Sequence, residues 1–275
     1  MKETSIIGRD RAAGGAWSGA WQQRWMVLQV ARREFRSRYA SSSLGLAWTV
    51  VEPLVQFLLY YFLFGMVLGT RLESGAGRGG FGLSLFVGLV PFLALQECVV
   101  RTASLGRTHA PLIRHVRMPA SALVAGTIGA VMARYSVFLV VGAAACVASG
   151  TVAATRLPWL AVGIIVLIAW CWGLGLMLLP AGAYLPDLAN AAPTVMTIAF
   201  FLTPVVYPPE VVPARLQEWL AFHPILGVVD LFRHALIGTG LQASNAVSAI
   251  VMAGVFCALG SLIYAKRAAS LADVV

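Results

Sequence analysis

Ionisable side chains lie inside apolar segments at three places in the chain. Glu52 falls in the first such segment, Glu97 and Arg101 lie four residues apart in the second, and Arg134 lies in the third. Residues four apart meet on one face of a helix, and charges surrounded by hydrocarbon must be paired or hydrated. We interpret them first as structural ion pairs, Glu97 with Arg101 and Glu52 with Arg134. The alternative is direct contact with a substrate, or a proton relay.

A cationic segment precedes the first apolar segment. Plotted as a helix, residues 21–39 place five side chains on one narrow stripe: Trp21, Trp25, Leu28, Phe35 and Tyr39. The same segment supplies four closely spaced arginines: Arg32, Arg33, Arg36 and Arg38. Such a helix suits the headgroup layer of a membrane, and arginine forks bind phosphate through paired hydrogen bonds. The segment is either a membrane anchor or a gate beside an opening for an anionic, lipid-linked substrate.

The sequence offers little to support catalysis. It contains no Walker A motif, because the only lysines, Lys2 and Lys266, do not follow the required glycines. The four histidines are split between the two predicted sides of the membrane, and the four cysteines lie one to an apolar segment. We therefore predict no catalytic residue, no metal site and no cofactor in this chain.

Composition and apolar segments predict an all-α polytopic membrane protein. Hydrophobic residues make up 59% of the chain and charged residues 11%. Crossing a bilayer as a helix takes about 20 mostly apolar residues. Six segments qualify: 44–69, 82–105, 121–149, 157–180, 188–207 and 246–265. The fifth is the weakest, because Asn190 and Pro193 interrupt its start.

The basic residues are distributed unevenly between the two sides of this predicted topology. Eight lie in the N-terminal segment, four in residues 101–117 and two near the C-terminus, against five on the opposite side. By the positive-inside rule, both termini are cytoplasmic. The net charge of +9 then reflects topology, and we predict no nucleic-acid partner.

Two connecting segments are too elaborate for simple reversals. Residues 106–119 read "GRTHAPLIRHVRMP" and predict a short amphipathic helix that displays Leu112, Ile113, Arg114 and Arg117. This helix is a candidate surface for a protein partner, or an ordinary basic loop. Residues 203–240 predict two short helices, 209–221 and 224–237, that dip into the outer leaflet. Residues 1–20 predict a disordered cytoplasmic tail.

Five landmarks occur in a familiar order: the basic amphipathic helix, "SLGLAWTVVEPL", "LIRHVRMP", "TPVVYPP" and "HPILGVVDLFRHAL". From about residue 22 to the C-terminus, the chain resembles the membrane (permease) subunit of polysaccharide-exporting ABC transporters, which export O-antigen, capsule or teichoic acid. It departs from the family at "YLPDL", where Pro186 precedes Asp187 in place of an Arg-Asp pair. His223–Pro224 also replaces a frequent Asn-Pro.

The resemblance implies an architecture and a set of partners. It implies a homodimer of six-span subunits in the bacterial inner membrane, with two copies of a separate subunit that binds ATP and Mg. Residues 21–43 correspond to a gate helix with its hinge, 111–118 to a coupling helix, and 208–237 to re-entrant helices. Residues 44–275 form a single transmembrane domain.

The implied substrate is a polysaccharide linked to polyprenyl diphosphate. A sliding glycan needs surfaces that do not fix its register, which aromatic rings provide. We predict that Glu52 and six aromatic residues line the channel: Phe57, Tyr60, Tyr61, Phe64, Phe201 and Tyr207. The alternative is that these rings face lipid. Two other functions stay open, an ABC permease for drugs or lipids and an ion-coupled secondary transporter.

Overall fold

The fold is known from a computed structural model, and all the regular structure among its described residues is helical. The described residues are 24–37, 43, 45–69, 77–109, 119–207, 212–213, 215, 217, 220 and 222–274. The predicted tail at 1–20, the predicted coupling helix at 111–118 and most of the predicted helix at 209–221 lie outside them.

Eight α-helices follow one another along the described chain. They are α1 Arg24–Ser37, α2 Trp48–Tyr60, α3 Gly77–Thr108, α4 Ala120–Ala148, α5 Leu157–Tyr184, α6 Leu188–Leu202, α7 Pro224–Leu236 and α8 Ala243–Val274. Helix α2 continues as a π-helix over Tyr61–Val67. Single 3₁₀ turns at Gly45–Ala47 and Ala154–Arg156 lead into α2 and α5.

Five of the helical stretches in the described chain are long and apolar enough to cross a membrane. They are Trp48–Val67, Gly80–Thr108, Ala120–Ala148, Ala154–Tyr184 and Ala243–Arg267. The fifth predicted span corresponds to α6, which has 15 residues. This is shorter than the roughly 20 residues that a helix needs to cross a membrane. Six membrane crossings therefore remain a prediction.

The helix bundle is centred on α3 and α5. Phe92 of α3 and Leu176 of α5 are completely enclosed. Helix α8 packs along α5 where Gly173 and Gly260 lie at the contact, and a side chain at either position would collide with the other helix's backbone. Small residues at such contacts let membrane helices approach closely. The Trp170 indole N–H of α5 donates to the Ala249 carbonyl of α8 over 2.9 Å.

Helix α1 lies against α4 rather than apart from the bundle. Val30 is buried, and Gly126 of α4 leaves the space into which the Val30 side chain fits. Two residues of the predicted apolar stripe, Trp25 and Leu28, are instead 71% and 50% exposed. Helix α1 therefore has one face on the bundle and a second, apolar face turned away from it.

Specific residues begin and end helix α7. His223 precedes Pro224 and accepts a hydrogen bond on Nδ1 from the Leu226 amide over 3.2 Å, which caps the helix. Gly238, with φ of 81°, ends it by donating to the Arg233 carbonyl. Only glycine readily adopts this left-handed conformation. A helix is thus present where one was predicted over 224–237, whereas its re-entrant placement remains a prediction.

Candidate functional site

Six ionisable residues form a continuous series of contacts through four helices. We call it the ion-pair chain, and its members in spatial order are Glu52, Arg134, Glu97, Arg101, Glu34 and His109. Arg134 bridges Glu52 and Glu97, with both N–O distances 2.8 Å. Arg101 binds Glu97 at 2.7 Å and Glu34 at 3.1 Å. Through these contacts α1, α2, α3 and α4 are joined by charged side chains.

Both ion pairs predicted from the sequence are present. Glu97 and Arg101 pair along α3, and Glu52 of α2 pairs with Arg134 of α4. The sequence interpretation missed that Arg134 joins the two pairs into one network. It also missed Glu34, whose carboxylate contacts Arg101 and His109. The available signal was that Glu34 is the only acidic residue in a strongly cationic segment.

The two carboxylates bound to Arg134 differ in exposure. The side chains of Arg134 and Glu97 are 4% and 9% exposed, whereas that of Glu52 is 46% exposed. The Arg134 Nε–H also donates to the Thr49 carbonyl over 3.4 Å. A half-exposed carboxylate on a membrane-spanning helix is stable where water or protein covers it, not hydrocarbon. The Glu52 face of α2 therefore borders an aqueous or protein surface.

The other end of the ion-pair chain holds α1 in place. His109 Nε2 lies 2.9 Å from Glu34 at the end of α3. The hydrogen bond with His109 holds the pKa of Glu34 below its ordinary value of 4.5, helped by the charges of His109 and Arg101 and opposed by partial burial. Glu34 therefore fastens α1 to α3 as an ionised carboxylate.

The predicted gate arginines are only partly within the described structure. Arg32 and Arg33 are exposed on α1 and do not belong to the ion-pair chain. Arg36 lies within α1, but its side chain and the whole of Arg38 are outside the described residues. The four predicted coupling residues are outside them too: Leu112, Ile113, Arg114 and Arg117.

The predicted channel-lining rings of the first span are half-buried. Phe57 packs edge-on against Phe86 at 5.1 Å between ring centroids, and Tyr60 packs against Phe200 at 4.9 Å. Tyr61 and Phe64 also pack against the core. In the single chain these rings attach α2 to its neighbours. Their role in lining a channel remains a prediction.

The two predicted rings from the end of α6 lie in different surroundings. Phe201 is 53% exposed, whereas the Tyr207 hydroxyl donates to the Phe201 carbonyl over 2.7 Å. This bond closes the turn that follows α6. Tyr207 also borders a cavity.

A second buried arginine lies at the opposite end of the bundle, beside that turn. Arg233 of α7 donates to the carbonyls of Ser84, Pro204 and Val205 over 3.2, 3.2 and 2.6 Å. We call this the arginine–carbonyl cluster. Its guanidinium lies against Gly88, where any side chain would collide with it. Sequence reasoning had counted Arg233 only as an exterior charge.

A cavity of about 490 Å³ adjoins the arginine–carbonyl cluster. The start of α3, the turn after α6, helix α7 and the start of α8 form its walls. Asp230 lies in it, one turn before Arg233, and burial raises the pKa of the Asp230 carboxyl. Asn245 hydrogen-bonds both Asp230 and Gln242, over 3.4 and 3.2 Å.

Comparison with known families decides what kind of protein carries these features. Residues 27–237 match the ABC-2 type transporter model. The chain belongs to the ABC-2 transporter membrane family. The match runs from α1 through α7 and so includes the whole ion-pair chain and the arginine–carbonyl cluster. This ABC-2 permease is a multi-pass membrane protein and a transport subunit.

Three curated relatives show what the permease is similar to. It is 23% identical to the O-antigen export system permease protein RfbA of Myxococcus xanthus, over 76% of this chain and 78% of that one. It is 22% identical to the polysialic acid transport protein KpsM of Escherichia coli, over 74% and 78% of the two chains. An O-antigen export system permease protein RfbA of Klebsiella pneumoniae is 19% identical over 90% and 94%.

Proposed function

We propose that this ABC-2 permease is the channel-forming subunit of an ATP-driven exporter of polyprenyl-diphosphate-linked polysaccharide. The observation that carries the proposal is the family match over residues 27–237, joined to relatives whose names specify O-antigen and polysialic acid export. The same order of landmarks in the sequence supports it independently of any one motif.

The proposed conduit lies between two copies of the chain, along α2. Many apolar side chains of α2 and of its π-helical continuation are exposed, including Leu58, Leu59 and Phe62 at 52%, 59% and 56%. The Glu52 carboxylate, 46% exposed, lies on the same helix. A surface that combines this carboxylate with apolar side chains suits a partner subunit and an aqueous path better than lipid alone.

The proposed energy source is a second polypeptide, present in two copies, that binds ATP and Mg. This chain's sequence has no Walker A motif with which to bind a nucleotide. Residues 111–118 would transmit ATP-driven closure of the partner to the bundle. Nucleotide can drive transport only if the partner contacts the two channel states with different affinities.

The proposed starting point is the cytoplasmic face of a bacterial inner membrane, with both termini on that face. Arg32 and Arg33 are exposed on α1, where they would attract the diphosphate of the lipid carrier. Glu34 fastens the same helix to Arg101 of α3. Substrate binding and channel opening would thus both involve helix α1.

The ion-pair chain bears on the ion-coupled alternative. Each of its carboxylates is bound to an arginine: Glu52 and Glu97 to Arg134, and Glu34 to Arg101. A proton relay passes protons between groups that can release them, whereas here arginines, which stay protonated, lie between successive carboxylates. The arrangement favours a structural network within an ATP-driven permease.

The proposal is tested in cells that synthesise the glycan. Deleting the chain should remove surface glycan and accumulate lipid-linked glycan inside, and restoring the chain should reverse both. Loss of the ATP-binding partner should have the same effect. An Arg32→Gln/Arg33→Gln variant should export several-fold less, while Arg24→Gln, an exposed arginine of the same helix, should export normally. Export that persists without the ATPase and stops with an uncoupler would overturn the proposal.

A further inference from the structure

The cavity beside the arginine–carbonyl cluster has the size of a ligand site. Its volume of about 490 Å³ falls within the range of roughly 300–1,000 Å³ typical of small-molecule pockets. It lies at the end of the bundle where α3 and α8 begin, opposite the Glu34 end of the ion-pair chain. In the proposed topology this is the extracytoplasmic end.

The polar groups of the cavity are those that bind hydroxyl groups. Asp230, Asn245 and Gln242 form a connected row of one carboxylate and two amides. Amides both donate and accept, and a carboxylate accepts from adjacent hydroxyls. Rings of Phe81 and Tyr207 supply apolar wall, which suits the C–H faces of a sugar.

The charges of the cavity disfavour an acidic ligand. Among the described lining residues, Arg233 is the only cation, and its guanidinium already donates to three backbone carbonyls. Asp230 contributes the opposing charge one turn away. An acidic sugar would place its carboxylate near Asp230, at a cost in desolvation and repulsion, and the described lining offers it no cation besides Arg233.

We infer that this cavity is a subsite for uncharged sugar residues of the exported glycan. The inference rests on the proposed export function and adds to it a second place of glycan contact, away from α2, together with a preference for neutral sugars. The subsite would hold a sugar unit loosely at the exit end, through hydroxyl contacts with Asp230 and Gln242 in the cavity wall.

Cysteine labelling in producing cells tests the subsite. Thr239 borders the cavity, so the full-length chain carrying Thr239→Cys is labelled from outside with a charged maleimide. Labelling is compared between cells that make the glycan and cells whose glycan synthesis is blocked at its first sugar transfer. We expect several-fold slower labelling in the producing cells. Thr155→Cys, an exposed threonine at the same end of the bundle, should react equally in both.

The outcomes separate the subsite from the proposed function. Equal labelling of Thr239→Cys in both cultures, with normal surface glycan, overturns the subsite and leaves the export function standing. Surface glycan that does not depend on the chain overturns the export function itself. A purified exported glycan that carries a charge on every sugar unit overturns the preference for neutral sugars.

A second pair of variants compares a tryptophan at the cavity with one placed away from it. A Cβ atom added at Gly240 or at Gly254 meets no atom within 4 Å, but of these two glycines only Gly240 borders the cavity. Gly240→Trp should lower surface glycan several-fold, and Gly254→Trp should leave it unchanged. Membrane abundance of each variant is measured alongside. Normal export by an abundant Gly240→Trp variant contradicts the subsite.

Discussion

The two buried arginines of this permease are stabilised in different ways. Arg134 is bound by the carboxylates of Glu52 and Glu97, which belong to two other helices. Arg233 is bound by the backbone carbonyls of Ser84, Pro204 and Val205. Carboxylate partners can be released by a change of rotamer, whereas carbonyl partners move only when the backbone moves.

Because of this difference, we expect the two ends of the bundle to behave differently during transport. The ion-pair chain joins α1 and α2 to α3 and α4 by side chains, so these helices can shift while charges re-pair. The arginine–carbonyl cluster fixes α7 and the turn after α6 to the start of α3. We expect the Glu34 end to change conformation during transport and the Arg233 end to keep its backbone arrangement.

Removing Arg134 should have the largest effect on stability. Arg134→Met leaves Glu97, which is 9% exposed, with one arginine in place of two, and removes the guanidinium that binds Glu52. We expect a loss of about 3 kcal/mol in the free energy of unfolding, at the low end for broken buried pairs because Glu52 is half-exposed. Equilibrium unfolding in detergent measures it.

A second substitution identifies the cause of that loss. Adding Glu97→Gln to Arg134→Met removes the buried charge that has lost one of its two arginines, so part of the stability should return. If the double variant is no more stable than Arg134→Met, the network is not held together by charge.

Removing Arg233 should cost somewhat less, because its hydrogen-bond acceptors are neutral carbonyls rather than ionised carboxylates. Arg233→Met removes three hydrogen bonds to backbone carbonyls, each with a net contribution of roughly 0.5–1 kcal/mol. We expect a loss of about 2–3 kcal/mol in the same unfolding measurement. Arg233→Lys keeps a cation but lacks the planar fork, so it should recover only part. Full recovery by lysine would show that charge, not geometry, holds the cluster.

Replacing a glycine with alanine should change the free energy of unfolding differently near Arg233 and near α1. At Gly88 a Cβ atom would lie 2.7 Å from Arg233 Nη2, whereas at Gly129 it would lie 3.7 Å from the Ala31 Cβ atom. We expect Gly88→Ala to destabilise by about 1–3 kcal/mol through overpacking. Gly129→Ala should be neutral or stabilising by up to about 1 kcal/mol. Equal effects of the two changes would contradict a fixed guanidinium.

The smallest expected effect concerns pH and α1. The pKa of Glu34 is lowered in the fold, so its contribution is complete above the ordinary value of 4.5 and is lost as pH falls through the lowered value. The protection factors of the α1 amides, which correct for the slower intrinsic exchange in acid, should therefore fall as the pH drops through the lowered value. Glu34→Gln should have lower protection factors at neutral pH, and they should change little further in acid. Persistence of the full acid effect in that variant would assign it to another group.

The two ion pairs could be predicted from the sequence because one follows from spacing within a helix and the other from isolated charges in apolar spans. Glu97 and Arg101 share a helix face by spacing alone, and an isolated Glu52 or Arg134 in an apolar span requires an opposite charge. The contact from Glu34 to His109 could not be predicted in this way, since both residues lie outside the spans and meet only through the packing of α1.

The Arg233 end was harder to predict for a physical reason. Backbone carbonyls are present at every residue, so an arginine that binds them leaves no complementary residue in the sequence. The Asp230 and Arg233 spacing, one helical turn, was visible but identified neither the cavity nor the carbonyls. The helix bounds were predictable where the apolar segment is long, as in α4, and less so in the short α6.

Reconstitution tests the central claim most directly. The purified permease is placed in liposomes with and without its ATP-binding partner, with the partner's nucleotide site facing the outside medium, and is given lipid-linked glycan. Our account predicts glycan transfer to the interior only when both proteins and ATP are present. Glycan transfer by the permease alone, indifferent to nucleotide, would contradict it.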